Sequence, residues 1–285
     1  MTTLRSIKTR IHAIGNIQQI TKAMEKVAAV HLRRTQHVIE QFRPYVTKMQ
    51  EILTYLTLNA EGFTHPFFTE REVKNIGLVV VAADKGLCGS YNSSIFSKAE
   101  EYLRTWSSQK VTLIPVGHKA VEYFRRSKHS VAHEITEWAG KMTVEQMNAL
   151  LHQIVEPFEN GQWDEVWILS MHYISILSRP IICEKFLPLQ KVDVDCKQFS
   201  TDYIFEPKPE ALLQEFIPRY CLTRLKALLD EAHASELAAR VISMKSATKN
   251  AEEMVEKLTL IRNKLRQADV TTEMLEITAG AEGLK

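Results

Sequence analysis

The sequence predicts an α/β fold combined with a long antiparallel α-helical coiled coil, in which the N- and C-terminal helices pair with each other. Two observations predict this fold class. Apolar residues recur every three or four positions along both ends of the chain, whereas the middle alternates short β-branched runs with helical patterns. Steps of three and four mark the seam of a long helix, and strands that alternate with helices are typical of a largely parallel sheet.

The first long helix is predicted over residues 1–58. Gly15 costs such a helix about 1 kcal/mol at most, and Pro44 is expected to kink or break it. At 1.5 Å per residue the helix would be roughly 80 Å long, far longer than the helices of ordinary globular domains. The apolar positions of its predicted seam are Leu4, Ile7, Ile11, Ile14, Ile17, Ile20, Met24 and Val27, followed by Val38, Phe42, Tyr45, Met49, Ile52 and Leu56.

The second long helix is predicted over residues 209–285, with a bend expected near Pro218. Neither long helix could bury its whole seam on the small middle domain, so the two are expected to pack on each other with both termini at one end. The seam of the second helix includes Leu212, Phe216, Tyr220, Leu225, Leu228, Leu229, Leu237, Val241, Met244, Thr248, Ala251, Val255, Leu258, Ile261 and Leu265.

The middle of the chain, residues 72–190, is predicted to be a Rossmann-like α/β domain with a mainly parallel sheet. Continuous β-branched runs such as 76–83 are typical of strands that are buried on both faces. Thr143, with Glu145 and Gln146 behind it, is a plausible cap for a helix that runs to about residue 158. The other predicted elements are strands at 111–116, 165–172 and 181–188 and helices at 92–105 and 118–126.

Charge gives two possible interpretations of the N-terminal helix. The whole chain carries a net charge of only +2, so no overall field points to nucleic acid. Basic residues nevertheless concentrate at the N-terminus. A basic helix can bind nucleic acid or acidic loops of protein partners, and protein is favoured because no aromatic residues interleave with the charges. The basic residues are Arg5, Lys8, Arg10, Lys22, Lys26, Arg33 and Arg34.

No pattern in the sequence predicts a catalytic, cofactor-binding or metal-binding site. Cys88, Cys183, Cys196 and Cys221 form no CxxC pair, and no HExxH motif occurs. The turn at 85–90 lies where a phosphate-binding loop would lie, but it lacks the GxGxxG and GxxxxGK patterns. A tight turn is favoured over nucleotide binding, and over a reactive Cys88 at a helix N-terminus. The chain is therefore not expected to be an enzyme or to bind a small-molecule substrate directly.

Two further expectations concern location. The sequence contains no stretch of the roughly 20 apolar residues that a membrane span needs. No signal peptide is recognised before the first helix. The chain is therefore expected to be soluble or peripheral to a membrane.

Several separated segments of the chain form recognisable motifs. Residues 17–29 contain Ile-Thr-Lys-Ala-Met and Val-Ala-Ala, and further motifs lie at residues 43–45, 84–92, 202–207 and 239–268. Together these segments resemble one family, the gamma subunits of F-type ATP synthases, with residues 17–29 in the arrangement of the family's N-terminal signature. The departures are mild: residues 29–36, Ser90 and residues 275–281 differ from the usual pattern. The insertion that carries the redox switch of chloroplast members is not recognised, so no such switch is expected between Cys183 and Cys196.

The resemblance implies the function of a central rotating shaft. Ion flow, of protons or sodium, would turn a membrane c-ring and the shaft with it. The asymmetric shaft would then drive the catalytic sites of a ring of alpha and beta subunits, three of each per gamma, through ATP synthesis or hydrolysis. An epsilon subunit is a further expected partner. The expected location is the cytoplasmic face of a bacterial cell membrane. The alternatives are a non-rotary coiled-coil scaffold or adaptor, and an enzyme that uses the α/β domain.

The resemblance also implies roles for individual residues. For each of them the alternative is coiled-coil packing or plain helix surface. The expected contacts with the catalytic subunits are Lys22, Met24, Glu25, Lys26, Arg240, Arg266, Gln267, Thr271 and Glu273. The expected contacts with the membrane ring are Tyr203, Phe205 and Glu206. The C-terminal residues expected to enter an apolar sleeve of the catalytic ring are Leu275, Ile277, Ala279 and Leu284.

Overall fold

The computed structural model of the protein describes residues 3–60, 65–139, 142–190, 206 and 208–282. The chain forms two compact units. The helical unit consists of Met1–Ala29 and Arg240–Lys285, and the α/β unit consists of Val30–Ala239.

Two helices account for nearly half of the chain. Helix α1 runs from Leu4 to Asn59 and the C-terminal helix, α5, from Pro209 to Glu282, with lengths of 56 and 74 residues. Both are uninterrupted, so of the two outcomes expected at Pro44, a kink or a break, the break does not occur. A proline inside a helix removes one backbone hydrogen bond. Buried Met49, Leu53 and Leu56 anchor the next turns of α1 in the core, which stabilises the helix beyond the proline.

Contacts between the two helices follow antiparallel order. In the helical unit Thr21 of α1 meets Thr248 of α5, with 2.9 Å between their hydroxyl oxygens. In the α/β unit Phe42 of α1 lies beneath the ammonium group of Lys226, 4.8 Å from the ring centroid. As residue numbers increase along α1, the numbers of the α5 residues that contact them decrease. The predicted antiparallel pairing of the terminal helices is confirmed.

The sheet of the α/β unit has the order β3-β2-β1-β4-β5. The strands are β1 (Asn75–Val81), β2 (Lys110–Val116), β3 (Ser130–Val131), β4 (Glu165–Met171) and β5 (Ile181–Leu187). The first four strands in that order are parallel, and β5 is antiparallel to β4. The predicted mainly parallel sheet is confirmed. Strand β3 is absent from the sequence-based prediction because two residues are too short for a periodic pattern.

Helices cover both faces of the sheet. They are α2 (Tyr91–Thr105), α3 (His118–Arg125) and α4 (Val144–Glu159). One face of β1 packs with α4 and with α1 and α5, and the other packs with α2 and α3. Thr143 caps α4 in a reciprocal capping box with Gln146, as the sequence predicted. Gly77 is small for a steric reason, since a Cβ there would lie 2.5 Å from the ring of Trp163.

Candidate subunit-contact surfaces

The seam of the helical unit follows a strict heptad. Buried or half-buried positions recur at alternating steps of three and four on both helices, and counting outward from the Thr21–Thr248 contact pairs Leu4 with Leu265 and Ala28 with Val241. This is the spacing that keeps one face of each helix toward its partner. The seam positions are Leu4, Ile7, Ile11, Ile14, Gln18, Thr21, Glu25 and Ala28 on α1, and Val241, Met244, Thr248, Ala251, Val255, Leu258, Arg262 and Leu265 on α5.

The structure corrects the predicted seam most strongly over one segment of α1, and the predicted seam positions Val38, Tyr45 and Ile261 are exposed as well. The apolar pattern shifts by one position after Ile14, but the structural heptad does not. Ile17, Ile20 and Val27 are therefore 52%, 58% and 57% exposed. Gln18, Thr21 and Glu25 occupy the seam in their place. The segment is polar toward its partner helix and apolar toward solvent. We call Ile17, Ile20, Met24 and Val27 the contact stripe.

The heptad keeps its phase because both ends of the segment are anchored. Ile7 on one side and Ala28 on the other are buried in the same phase. Within the segment the hydroxyl of Thr248 reaches the hydroxyl of Thr21, and each also lies within hydrogen-bond distance of a carbonyl oxygen on its own helix. Burying one aliphatic side chain stabilises a protein by about 1.5–3 kcal/mol. Burial of the contact stripe by another protein would therefore contribute several kcal/mol that the chain alone does not gain.

The predicted contact residues of α1 do not share one environment. Lys22 and Lys26 are exposed beside the contact stripe, and Met24 is half-buried. Glu25 instead belongs to the seam, in the same layer as Met244. The described geometry thus places Lys22, Met24 and Lys26 where a partner can reach them, whereas Glu25 faces α5.

The end of α5 extends past its partner helix. Leu4 begins α1 and shares a layer with Leu265, so residues 266–282 have no α1 position opposite them. We call these residues the C-terminal tail. Every side chain described in the tail is exposed, including the large aliphatic ones at Val270, Met274, Leu275 and Ile277. The predicted contacts Arg266, Gln267, Thr271 and Glu273 belong to this exposed tail, and Arg240 lies further back and is half-buried.

Sequence reasoning missed two exposed apolar features at the ends of β1 and β4. Leu87, in the turn after β1, is exposed and has a φ of 63°, which is unusual for a residue other than glycine. Leu177, in the loop from β4 to β5, is 86% exposed, and its neighbours Ile174 and Ile176 are exposed as well. The exposed apolar loop could have been recognised in the sequence from the Ile-Ser-Ile-Leu run at 174–177. Nothing in the sequence marks the backbone conformation of Leu87.

The thiols show no sign of catalytic activation in the residues described. Burial raises the pKa of Cys183 and of Cys221 to about 12, whereas a nucleophilic cysteine needs a lowered pKa. Cys88 is buried, and the amide of Asn92 donates to its sulfur at 3.4 Å. Cys196 lies outside the described residues.

Within the part of the chain that the structure describes, no group of three or more His, Cys, Asp and Glu side chains could hold a metal ion. No described helix is long and apolar enough to cross a membrane. Of the residues expected at the membrane ring, Glu206 is exposed. Tyr203 and Phe205 lie outside the described residues, as does Leu284 of the expected C-terminal sleeve contact.

Comparison with known proteins identifies relatives over the full length. The family model described as ATP synthase matches residues 3–284. The ATP synthase gamma chain of Protochlamydia amoebophila is 46% identical over 285 residues, covering 100% of both chains. That of Moorella thermoacetica is 38% identical, again over 100% of both chains.

Solved structures share the fold. A chain of the Euglena gracilis mitochondrial ATP synthase, in a structure of OSCP, F1 and the c-ring, superposes with a TM-score of 0.67 at 19% identity, covering 99% of this chain and 94% of that one. A chain of the Tetrahymena thermophila central stalk and c-ring superposes with a TM-score of 0.62 at 23% identity, covering 80% and 99%. The full-length identity to curated gamma chains, together with the paired terminal helices, shows that the chain belongs to the ATP synthase family as a gamma chain, the non-catalytic central-shaft subunit of that enzyme.

Proposed function

We propose that this chain is the rotating shaft that couples ion-driven rotation of the membrane ring to conformational cycling of the catalytic subunits. The observation that carries the proposal is the apolar surface that the helical unit leaves uncovered. Ile17, Ile20 and Val27 of the contact stripe are more than half exposed although they are aliphatic, and among the described residues no α1 position lies opposite the C-terminal tail. Exposed apolar surface of this extent marks a site of contact with other proteins.

The C-terminal tail is the second surface that indicates a partner. It carries exposed aliphatic side chains at Val270, Met274, Leu275 and Ile277, and exposed apolar surface marks a site of contact with other proteins. We infer that the tail lies in an apolar sleeve formed by the alpha and beta subunits, three of each around one gamma. Arg266, Gln267, Thr271 and Glu273 would contact the wall of that sleeve.

The contact stripe forms a second bearing in this proposal. Lys22 and Lys26 are exposed beside it and would meet acidic loops of the catalytic subunits. Exposed ion pairs contribute only about 0–1 kcal/mol each, so such contacts form and break within one turn. Met24 and Arg240 complete the set of proposed contacts at this level, while Glu25 acts through the seam.

The mechanism requires no reacting group on this chain. The two helices present different side chains around the shaft, so each of three catalytic sites would meet a different face. A shaft of this kind shifts the populations of its partners' conformations and does no chemistry itself. ATP hydrolysis would reverse the rotation.

The foot of the shaft is proposed from the family resemblance of residues 202–207. We propose that Tyr203, Phe205 and Glu206 contact the membrane c-ring, and that an epsilon subunit is a further partner. The functional parts would be the N-terminal helix at 1–58, the α/β domain at 72–190 and the C-terminal helix at 209–285. The chain would act as a peripheral subunit at the cytoplasmic face of a bacterial cell membrane.

Reconstitution tests the proposal. The chain is co-expressed with the alpha and beta subunits of its source, and the complex is weighed by native mass spectrometry. A shaft yields a complex with three copies of alpha, three of beta and one of this chain. A bead attached to the exposed Leu177 position, through Leu177→Cys, should rotate when ATP is added.

Two results would contradict the proposal. A static scaffold would assemble the complex and support ATP hydrolysis without any rotation of the bead. ATP binding or hydrolysis by the isolated chain would assign it a catalytic role instead. The control carries the same cysteine in a complex whose catalytic sites are blocked with a non-hydrolysable nucleotide, where the bead must stay still.

A further inference from the structure

We propose that a cavity in the α/β unit binds a small amphipathic organic anion, with an aromatic or branched apolar body and one acidic group. The cavity has a volume of about 720 Å³, within the range of about 300–1,000 Å³ that is usual for small-molecule sites. Three parts of the unit line it: α1, α5 and the residues around the start of α4. This site is separate from the surfaces assigned to rotation and does not depend on that assignment.

The apolar side of the cavity fits the body of such a ligand. Phe42, Tyr45 and Trp138 contribute aromatic side chains to the lining. Tyr45 is substantially exposed, as are Val38 on the same helix and Val144 at the start of α4. Apolar side chains that face water from a concave wall gain free energy when a ligand covers them, at about 25 cal/mol per Å².

The charge of the cavity selects an anion. The charge of Lys226 is balanced by Asp230, with which its ammonium group forms an ion pair, and the same group lies over the ring of Phe42. Arg34 lines the same cavity, is exposed, and forms no ion pair with any residue that the structure describes. His31 lies one turn before Arg34 on the same face. The uncompensated charge of the described lining is therefore the positive charge of Arg34.

The segment at the start of α4 can adapt to the ligand. Met142 and Met147 line the cavity on either side of the capping box. Methionine side chains are flexible and polarisable, and they fill irregular gaps around apolar surfaces. A ligand between these residues and α1 would bridge the α/β core and the two long helices within this unit.

Two dyes of nearly the same shape test the assignment. Anilinonaphthalene sulfonate has an aromatic body and one negative charge, and N-phenylnaphthylamine has the same body without the charge. Each is titrated by fluorescence into the full-length chain. We expect one sulfonate dye per chain. Arg34→Gln should weaken its binding about tenfold, the loss expected for one charge-assisted hydrogen bond. The uncharged dye should change less than twofold.

Matched variants separate the cavity from other apolar surfaces. Arg33→Gln removes a neighbouring exposed charge that does not line the cavity and should leave both dyes unaffected. Val38→Trp fills the cavity from an exposed position and should reduce the binding of both dyes at least tenfold. Ile20→Ser alters the contact stripe and should change neither. Circular dichroism verifies that each variant is folded.

The assembled enzyme provides the deciding comparison. The wild-type enzyme should bind one more molecule of the sulfonate dye per complex than the enzyme that carries Val38→Trp. Equal binding to these two enzymes would show that a partner subunit fills the cavity, and it would overturn the ligand assignment. Dye binding to the isolated chain that ignores both Arg34→Gln and Val38→Trp would overturn it as well.

Discussion

The contact stripe provides the sharpest test of the structure, because sequence periodicity and tertiary structure assign it opposite roles. Replacing Ile17, Ile20 and Val27 together by serine removes three aliphatic side chains that are each more than half exposed. In the isolated chain the loss of stability should be small, since exposed substitutions usually change the free energy of unfolding by less than about 0.5 kcal/mol each.

The same triple variant should assemble poorly. Full burial of an aliphatic side chain is worth about 1.5–3 kcal/mol, and more than half of each side chain is still exposed before assembly. Each serine should therefore cost about 1 kcal/mol of assembly free energy and the three together about 3 kcal/mol. The concentration of gamma chain needed to restore half of the ATPase activity to alpha and beta subunits should rise about 100-fold.

The matched control is Ile7→Ser on the same helix. Ile7 is buried in the seam, so this change should lower local stability by about 2–5 kcal/mol. Amide hydrogen exchange over residues 4–28 of the isolated chain reports it directly. The reasoning fails if the triple variant speeds exchange as much as Ile7→Ser does, because the contact stripe would then be the packed seam. It also fails if the triple variant restores activity at the wild-type concentration.

Three further predictions concern stability, each measured by denaturant unfolding of the isolated chain. Gly77→Ala should destabilise the α/β unit by about 1–3 kcal/mol, because the new Cβ would lie 2.5 Å from buried Trp163; a neutral result would show that the ring moves freely. Thr143→Ala should cost about 1 kcal/mol by removing the cap of α4, whereas Thr9→Val on exposed helix surface should cost little. Burial raises the pKa of Glu231 above its ordinary value of 4.5, because the effect of burial outweighs the lowering of the pKa by nearby His172 and Arg43. The folded state therefore takes up that proton more readily than the unfolded state, and the ionised carboxylate reduces stability above the raised pKa. Glu231→Gln should be more stable than wild type at neutral pH, with an advantage that shrinks as the pH falls toward 4.5; an advantage that grows on acidification would refute this assignment.

The elements that could be predicted from the sequence are those with strong local signals. The β-branched run at 76–83 predicted β1 because a strand buried on both faces is apolar at every position. Thr143 and Gln146 predicted the start of α4 because a capping box is complete within four residues. Steps of three and four predicted α1 and α5 because a helical period repeats many times over such lengths. The family motifs predicted the function as well, because they occur along the chain in the order typical of the family.

Tertiary structure alone decided which face of α1 packs. Locally, Ile17 and Ile20 are better seam residues than Gln18 and Thr21. The phase of a coiled coil, however, is set by every layer together and by the partner helix, here through the Thr21–Thr248 contact. The exposed Leu87, with its positive φ, and the cavity beside Arg34 likewise depend on backbone and neighbours far apart in sequence. The sequence by itself thus determined the presence and pairing of the two helices. The choice between a buried and an exposed contact stripe required the packing of one helix against the other, because a local pattern records how apolar a face is and not what covers it.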